Sequence, residues 1–245
     1  MRLKNAAQTT DFPSLRQRHL VGEIMDQPEL EADRHLEALR GLGRINWISG
    51  STRILWRPIA KLASQSRTKL RVLDIATGGG DLPISLWRRA VDAKLPIRFE
   101  ACDLSERALD FARLQAKRQG ADVRFFVLDA LADEIPAGYD VVICSLFLHH
   151  LDDQQAQRLI DRMAEATGLM ILVNDLLRCR RGLLLAQLAT RVLSNSDVVH
   201  TDGPLSVRAS FTIEEVRDMA RRAQLDGFTI QRRWPLRYLL TWKRQ

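Results

Sequence analysis

Apolar and polar residues follow two rhythms along this chain, and the change between them falls near residue 70. Up to about Lys69 the apolar positions recur at helical spacing. Leu15 to Leu20 leads into Glu29 to Arg40, where Leu30, Leu36 and Leu39 share a face and Pro28 and Gly41 bracket the predicted helix. The stretch from Asn46 to Ser64 carries Trp47, Ile54, Leu55, Trp56 and Ile59, with Pro58 expected to bend it. These residues are expected to pack on a following sheet or to cover the mouth of a site. Residues 1–69 are therefore read as an N-terminal helical cap, and residues 70–245 as the core, the two forming one folding unit.

Beyond Leu70 short runs rich in aliphatic and β-branched residues alternate with helical segments. Strands are predicted at Arg71 to Ile75, Phe99 to Leu104, Val123 to Leu128, Tyr139 to Ser145 and Gly168 to Val173. Helices are predicted from about Leu82, over Glu106 to Gln119 behind the cap Ser105, and over Asp152 to Ala166. Thr212 and Glu215 form a capping box for a helix reaching Arg222. Phe228 to Trp234 and Arg237 to Trp242 predict an antiparallel hairpin around Pro235. Strand and helix in alternation define a doubly wound, mostly parallel α/β fold.

Composition narrows this picture. A chain of 245 residues, 46% of them hydrophobic, fills one large domain with elaborations. Cys102, Cys144 and Cys179 are far apart with no C-x-x-C pair, which predicts reduced thiols and no structural metal. No apolar run of about 18 residues is present, and no apolar signal segment follows Met1 to Asn5, so a cytoplasmic protein is expected.

The chemistry concentrates after the first strand, in Asp74-Ile-Ala-Thr-Gly78-Gly79-Gly80-Asp81. Glycines at this place let the backbone turn tightly and approach a ligand, and the following helix directs its free N–H groups over them. Asp103, at the end of the second strand and roughly 20 residues past the loop, is placed to accept hydrogen bonds from ribose hydroxyls. Dinucleotide and S-adenosylmethionine sites share this geometry. Asp74 separates them, because a buried acid there suits the ammonium of a methionine moiety and repels a pyrophosphate. Pro83 also stands where the dinucleotide pattern needs its third glycine.

On these residues the chain resembles the class I S-adenosylmethionine-dependent methyltransferases, within them the quinone-biosynthesis and small-molecule enzymes, over about residues 70 to 175. The resemblance implies a seven-stranded sheet completed by the C-terminal hairpin, and S-adenosyl-L-methionine as cofactor. Asp74, Ala76, Gly78 and Gly80 match the first motif. Asp103 and Leu104 match the ribose and adenine-stacking positions, Asp129 and Ala130 the pair at the adenine edge, and Ser145 the strand end bordering the methyl donor.

The acceptor then belongs above the ends of the fourth and fifth strands, near Phe147, His149, His150, Asn174 and Asp175. A phenol or an activated ring carbon needs a base, and neutral imidazole serves at cellular pH. By resemblance His149 faces the acceptor and Asp175 accompanies it, with His150 the alternate. A thiol or an acceptor already ionised needs no base. His200 is expected in a surface loop of the insertion 176–210, whose leucine-rich segment Arg178 to Leu193 asks for burial on more than one face. That segment is read as part of the acceptor pocket or as a dimer contact, with a lipophilic phenol, quinone or polyketide as partner. Its surroundings resemble polyketide-associated methyltransferases.

A net charge of +7 brings in other partners. An RNA methyltransferase is one alternative and a cofactor-binding protein without transferase activity another. Arginine is dispersed in pairs, no RNA-binding module is visible, and Ser145 to Leu148 lacks the Asn/Asp-Pro-Pro-aromatic tetrad, which argues against nucleic acid. Peripheral contact with an anionic membrane explains the charge equally well. Monomer and homodimer both stay open.

Overall fold

A computed structural model describes residues 15–27, 30–48 and 50–245 of the protein. Seven strands form one sheet: β1 (Leu70–Ile75), β2 (Ile97–Asp103), β3 (Val123–Val127), β4 (Tyr139–Ser145), β5 (Thr167–Leu176), β6 (Thr229–Arg233) and β7 (Arg237–Lys243), in the order β3-β2-β1-β4-β5-β7-β6. The first five run parallel, and β7 inserts antiparallel between β5 and β6. The fold class and the closing hairpin are as expected. β1 and β4 lie at the centre, so Leu73, Ile75, Val142 and Cys144 are fully buried.

The reversal of strand order between β1 and β4 opens a crevice at their carboxyl ends, where ligands of doubly wound sheets bind. Helices α3 (Asp81–Asp92) and α4 (Glu106–Gln119) begin on that rim. Ser105 caps α4 by accepting from the Ala108 N–H. After β4 a single 3-10 turn, Leu148–His150, precedes α5 (Asp153–Ala166), which Asp152 and Gln155 cap reciprocally. Leu159, Ile160 and Met163 of α5 seal one face of the sheet, while α2 (Ser51–Gln65) lays Leu55 and Ile59 on the other.

Several expectations fail in instructive ways. Helix α1 (Ala32–Ile48) passes through Gly41, and Pro28 lies outside the described residues. A Cβ on Gly41 would stand 2.4 Å from the Ser194 Oγ, so this glycine permits close approach of a neighbouring segment rather than ending the helix. Helix α2 is continuous through Pro58. Leu15 to Leu20 form no helix, because their backbone serves as a strap that Arg18 ties to the carbonyls of Ala209 and Leu151. The insertion folds as two helices, α6 (Arg180–Leu193) and α7 (Asp197–Ala209), so His200 lies on a helix and not in a loop. Burial on both faces of α6 is not observed: Leu184, Leu188 and Val192, one helical turn apart, are each at least 65% exposed.

Last among the helices, α8 (Ile213–Arg222) starts at the expected Thr212 and Glu215 box. Cys102 and Cys144 are buried free thiols, as expected for inward positions of central strands. Among the described residues no helix is long and apolar enough to cross a membrane.

Candidate active site

Strand β1 delivers the chain to the crevice through Asp74, a residue only 2% exposed. Burial pushes its carboxyl up to about 8, against the opposing effect of the Thr77 hydroxyl, which donates to it at 2.7 Å; the charges of Asp81 and Asp103 add to the rise. The loop that follows is bent by positive φ angles at Ala76, Gly78 and Gly80. Gly80 has a second reason to be glycine, because a Cβ there would lie 2.7 Å from that of Ala112 and 3.0 Å from the Phe125 ring. Nothing stands within 4 Å of a Cβ built on Gly78, so the backbone at this point faces open space.

Asp103 fixes this loop from β2. One carboxylate oxygen accepts from the Gly78 N–H at 2.8 Å and the other from the Ser105 N–H at 2.9 Å. A carboxylate so placed is an acceptor of the kind a ribose diol meets. Leu104 projects with 67% exposure, and an exposed aliphatic surface beside such a carboxylate is ready to meet a flat base. Asp129 folds back on its own turn, accepting from Leu131 and Ala132 N–H groups, and sets the backbone of the largely buried Ala130. Above the loop Leu39 of α1 and Phe111 of α4 close over Gly79. Buried carboxyl, open glycine backbone and the Asp103 carboxylate at the loop together fit the ammonium, chain and ribose of S-adenosylmethionine.

A second cluster assembles at the ends of β4 and β5. Ser145 accepts from the Asn174 amide at 2.9 Å, and the Leu146 N–H donates to the Asn174 carbonyl, closing the strand ends. His149, 4% exposed, places Nδ1 2.6 Å from Asp175, and its backbone N–H donates to the other oxygen of the same carboxylate. Burial by itself would raise Asp175. The facing His149 and the N–H groups of Leu176 and His149 outweigh it and hold the carboxyl below its ordinary value. His150 sits beside His149, ring centroids 4.4 Å apart, and also stacks with Phe147 at 5.9 Å. The structure thus gathers His149, His150, Asp175 and Ser145 at one end of the sheet, and Asp74, Ala76, Gly78, Gly80, Asp103, Leu104, Asp129 and Ala130 around the neighbouring crevice.

Two buried groups at this end escape sequence reasoning. Glu23, 7% exposed, comes from the strap before α1 and lies 3.8 Å from Nε2 of His149 and 3.8 Å from Nε2 of His150. Its neighbours Ile24 and Met25 donate their N–H groups to Asp202 of α7, contacts between residues about 180 positions apart that no periodicity signals. Arg237, at the start of β7, is buried against Ser51, and burial lowers its guanidinium to about 10; its Nε has no hydrogen-bond partner among the described residues. An arginine opening an apolar strand is the one sequence signal for it.

Comparison with known proteins agrees with this geometry. Residues 72–168 match the family described as "Methyltransferase domain". The ubiquinone biosynthesis O-methyltransferase of Leptothrix cholodnii is 34% identical over 113 residues, 45% of this chain and 40% of that protein. The demethylmenaquinone methyltransferase of Thermus thermophilus is 34% identical over 101 residues, 41% of this chain and 44% of its own. The chain thus spans less than half the length of these curated relatives.

Among solved structures, the S-adenosylmethionine-dependent methyltransferase SibL shares the fold with a TM-score of 0.66 at 20% identity, over 94% of this chain and 64% of its own. Human N-acetylserotonin methyltransferase in complex with SAM follows at 0.65 and 16% identity, over 87% and 56%. The magnesium protoporphyrin IX methyltransferase from Synechocystis with bound SAH gives 0.56 at 20%, over 80% and 84%. Residues 72–168 are thus similar to a methyltransferase domain, and the sheet has the fold of the S-adenosylmethionine-dependent methyltransferases compared above. Over that segment the sequence is similar to the ubiquinone and menaquinone biosynthesis methyltransferases.

Proposed function

We propose that this protein transfers a methyl group from S-adenosylmethionine to a hydroxyl or activated ring carbon of a small, largely apolar acceptor of phenol, quinone or polyketide type. The observation that carries this reading is the buried His149–Asp175 pair at the strand ends, next to the crevice that fits the cofactor. Asp74 would hold the cofactor's ammonium, the glycine loop its chain, Asp103 its ribose and the Asp129–Ala130 turn its adenine edge. When bound, the cofactor supplies a methyl on cationic sulfur, which leaves as a neutral thioether.

What this chain adds is alignment, exclusion of water and a place for the acceptor's proton. Asp175 holds Nδ1 of His149 as the protonated position, so Nε2 carries the lone pair. The acceptor's proton passes to Nε2 as the new bond to methyl forms. Phe147 offers an aromatic wall on the side of His150.

The exposed row Leu184, Leu188 and Val192 on α6, flanked by Arg180, Arg181 and Arg191, supports contact with an anionic membrane surface that stores such acceptors.

Transfer of radiolabelled methyl to a panel of lipophilic phenols, with His149→Gln beside the wild type, tests the assignment. The variant is expected to lose on the order of 10²-fold or more in kcat while its affinity for S-adenosylmethionine stays within about twofold. Full turnover by the variant would remove His149 from the chemistry.

A further inference from the structure

Glu23, His149 and His150 present one carboxylate oxygen and two imidazole nitrogens that all lie within 4.8 Å of one another. Three parts of the chain converge to make this cluster. The 3-10 turn after β4 supplies both histidines. Asp202 of α7 takes the Ile24 and Met25 N–H groups and so fixes Glu23, whose carboxylate also accepts from the Ser206 hydroxyl. Arg18 anchors the same strap to the carbonyl of Leu151, one residue past His150.

The spacing is the informative part. At 3.8 Å the Glu23 oxygens stand too far from either Nε2 for a hydrogen bond. Ligands arranged tetrahedrally at about 2.0–2.1 Å from a zinc ion lie about 3.3 Å apart; the two 3.8 Å contacts use different oxygens of Glu23, so closing this 4.8 Å cluster around an ion requires the side chains to turn inward onto it.

His149 is also prepared as a ligand. Its Nδ1 faces the Asp175 carboxylate at 2.6 Å, the arrangement that fixes the tautomer and ring orientation of metal-bound histidine. We propose that Glu23, His149 and His150 form a binding site for a divalent transition-metal ion of borderline softness, Zn²⁺ above all, at the acceptor end of the sheet. Two imidazoles and one carboxylate leave at least one coordination position for water or an acceptor oxygen.

The site itself stands on these distances. Its consequence rests on the acceptor reading given above: with an ion bound, Nε2 of His149 is a ligand, and the ion in place of the imidazole acidifies the acceptor hydroxyl, whose proton is released to solvent.

The test uses the full chain stripped with chelator and dialysed. Zn²⁺ is titrated calorimetrically, and Co²⁺ is added separately to report low-coordinate binding through its visible absorption. The expected result is one Zn²⁺ per chain and an intense Co²⁺ band, with Glu23→Gln and His150→Asn each weakening Zn²⁺ at least about tenfold. His200→Gln, outside the triad, is expected to leave binding unchanged. S-adenosylmethionine affinity, measured on every variant, reports whether the fold persists.

Absence of stoichiometric Zn²⁺ binding by the wild type would overturn the proposal. So would binding that Glu23→Gln and His150→Asn leave intact. Failure to methylate phenols would count against the acceptor reading instead, since neither metal readout depends on turnover.

Discussion

At the scale of single residues, Asp74 makes the sharpest statement. Its carboxyl at about 8 lies far above the ordinary value of 3.8, so the folded, ligand-free protein keeps a proton that the unfolded chain has already lost. Stability from this group is complete below pH 4 and falls as the pH rises toward 8. Asp74→Asn is expected to flatten that slope in thermal melts between pH 5 and 8. An ammonium brought beside the carboxylate favours its ionised form, so cofactor binding at pH 7 should release close to one proton. Calorimetry in phosphate and in Tris measures this directly, and identical enthalpies in the two buffers would contradict the assignment of Asp74 to the ammonium.

The same scale shows what was legible in the chain. Asp74, Gly78, Gly80 and Asp103 announce themselves because strand, turn and strand place them within about 30 residues, and local spacing is what a sequence displays. Glu23 and Arg237 stay hidden, since the side chains they meet, Ser206 and Ser51, stand about 180 positions away along the chain.

At the scale of elements, the glycine loop is a packing device as well as the proposed ligand cradle. Gly80→Ala places a methyl at φ 73° within 2.7 Å of Ala112, and both the conformation and the contact resist it. A loss of about 1–3 kcal/mol in chemical denaturation is expected, together with weaker cofactor binding; an unchanged midpoint would show that α4 yields. Gly41 illustrates the opposite lesson. Glycine past a periodic run reads as a helix stop, yet here the absent side chain admits Ser194 and the helix continues. Helix α6 misleads in the same way, because hydrophobicity on two faces predicts burial without saying by what. The protein's own fold covers one face and leaves Leu184, Leu188 and Val192 outside.

At the scale of the molecule, seven strands carry the two proposed sites side by side, and the segments flanking the sheet in sequence pack over the second. Arg18 stacks on Phe211 and bonds back to the loop after β4, while Arg178 of the insertion holds carbonyls of Leu15 and Ser210. Strap, α7 and the His149 turn therefore behave as one assembly over the acceptor end.

The exposed row of α6 and the net charge of +7 belong to this scale as well. Co-sedimentation with vesicles containing anionic lipid is expected at low salt and to diminish with added salt. Replacing Leu184, Leu188 and Val192 by serine should abolish it while changing stability by no more than about 0.5 kcal/mol per site. Equal binding by wild type and triple variant would leave the row without this role.

The central claim is that the crevice at the carboxyl end of β1 holds S-adenosylmethionine by its ammonium and ribose. Calorimetric titration of the wild type and Asp103→Ala with S-adenosylmethionine, S-adenosylhomocysteine and NAD tests it most directly. The account predicts binding of the first two, no binding of NAD, and a loss of about tenfold or more in the variant, where the accepting carboxylate is gone. Binding of NAD alone, or undiminished affinity in Asp103→Ala, would contradict it.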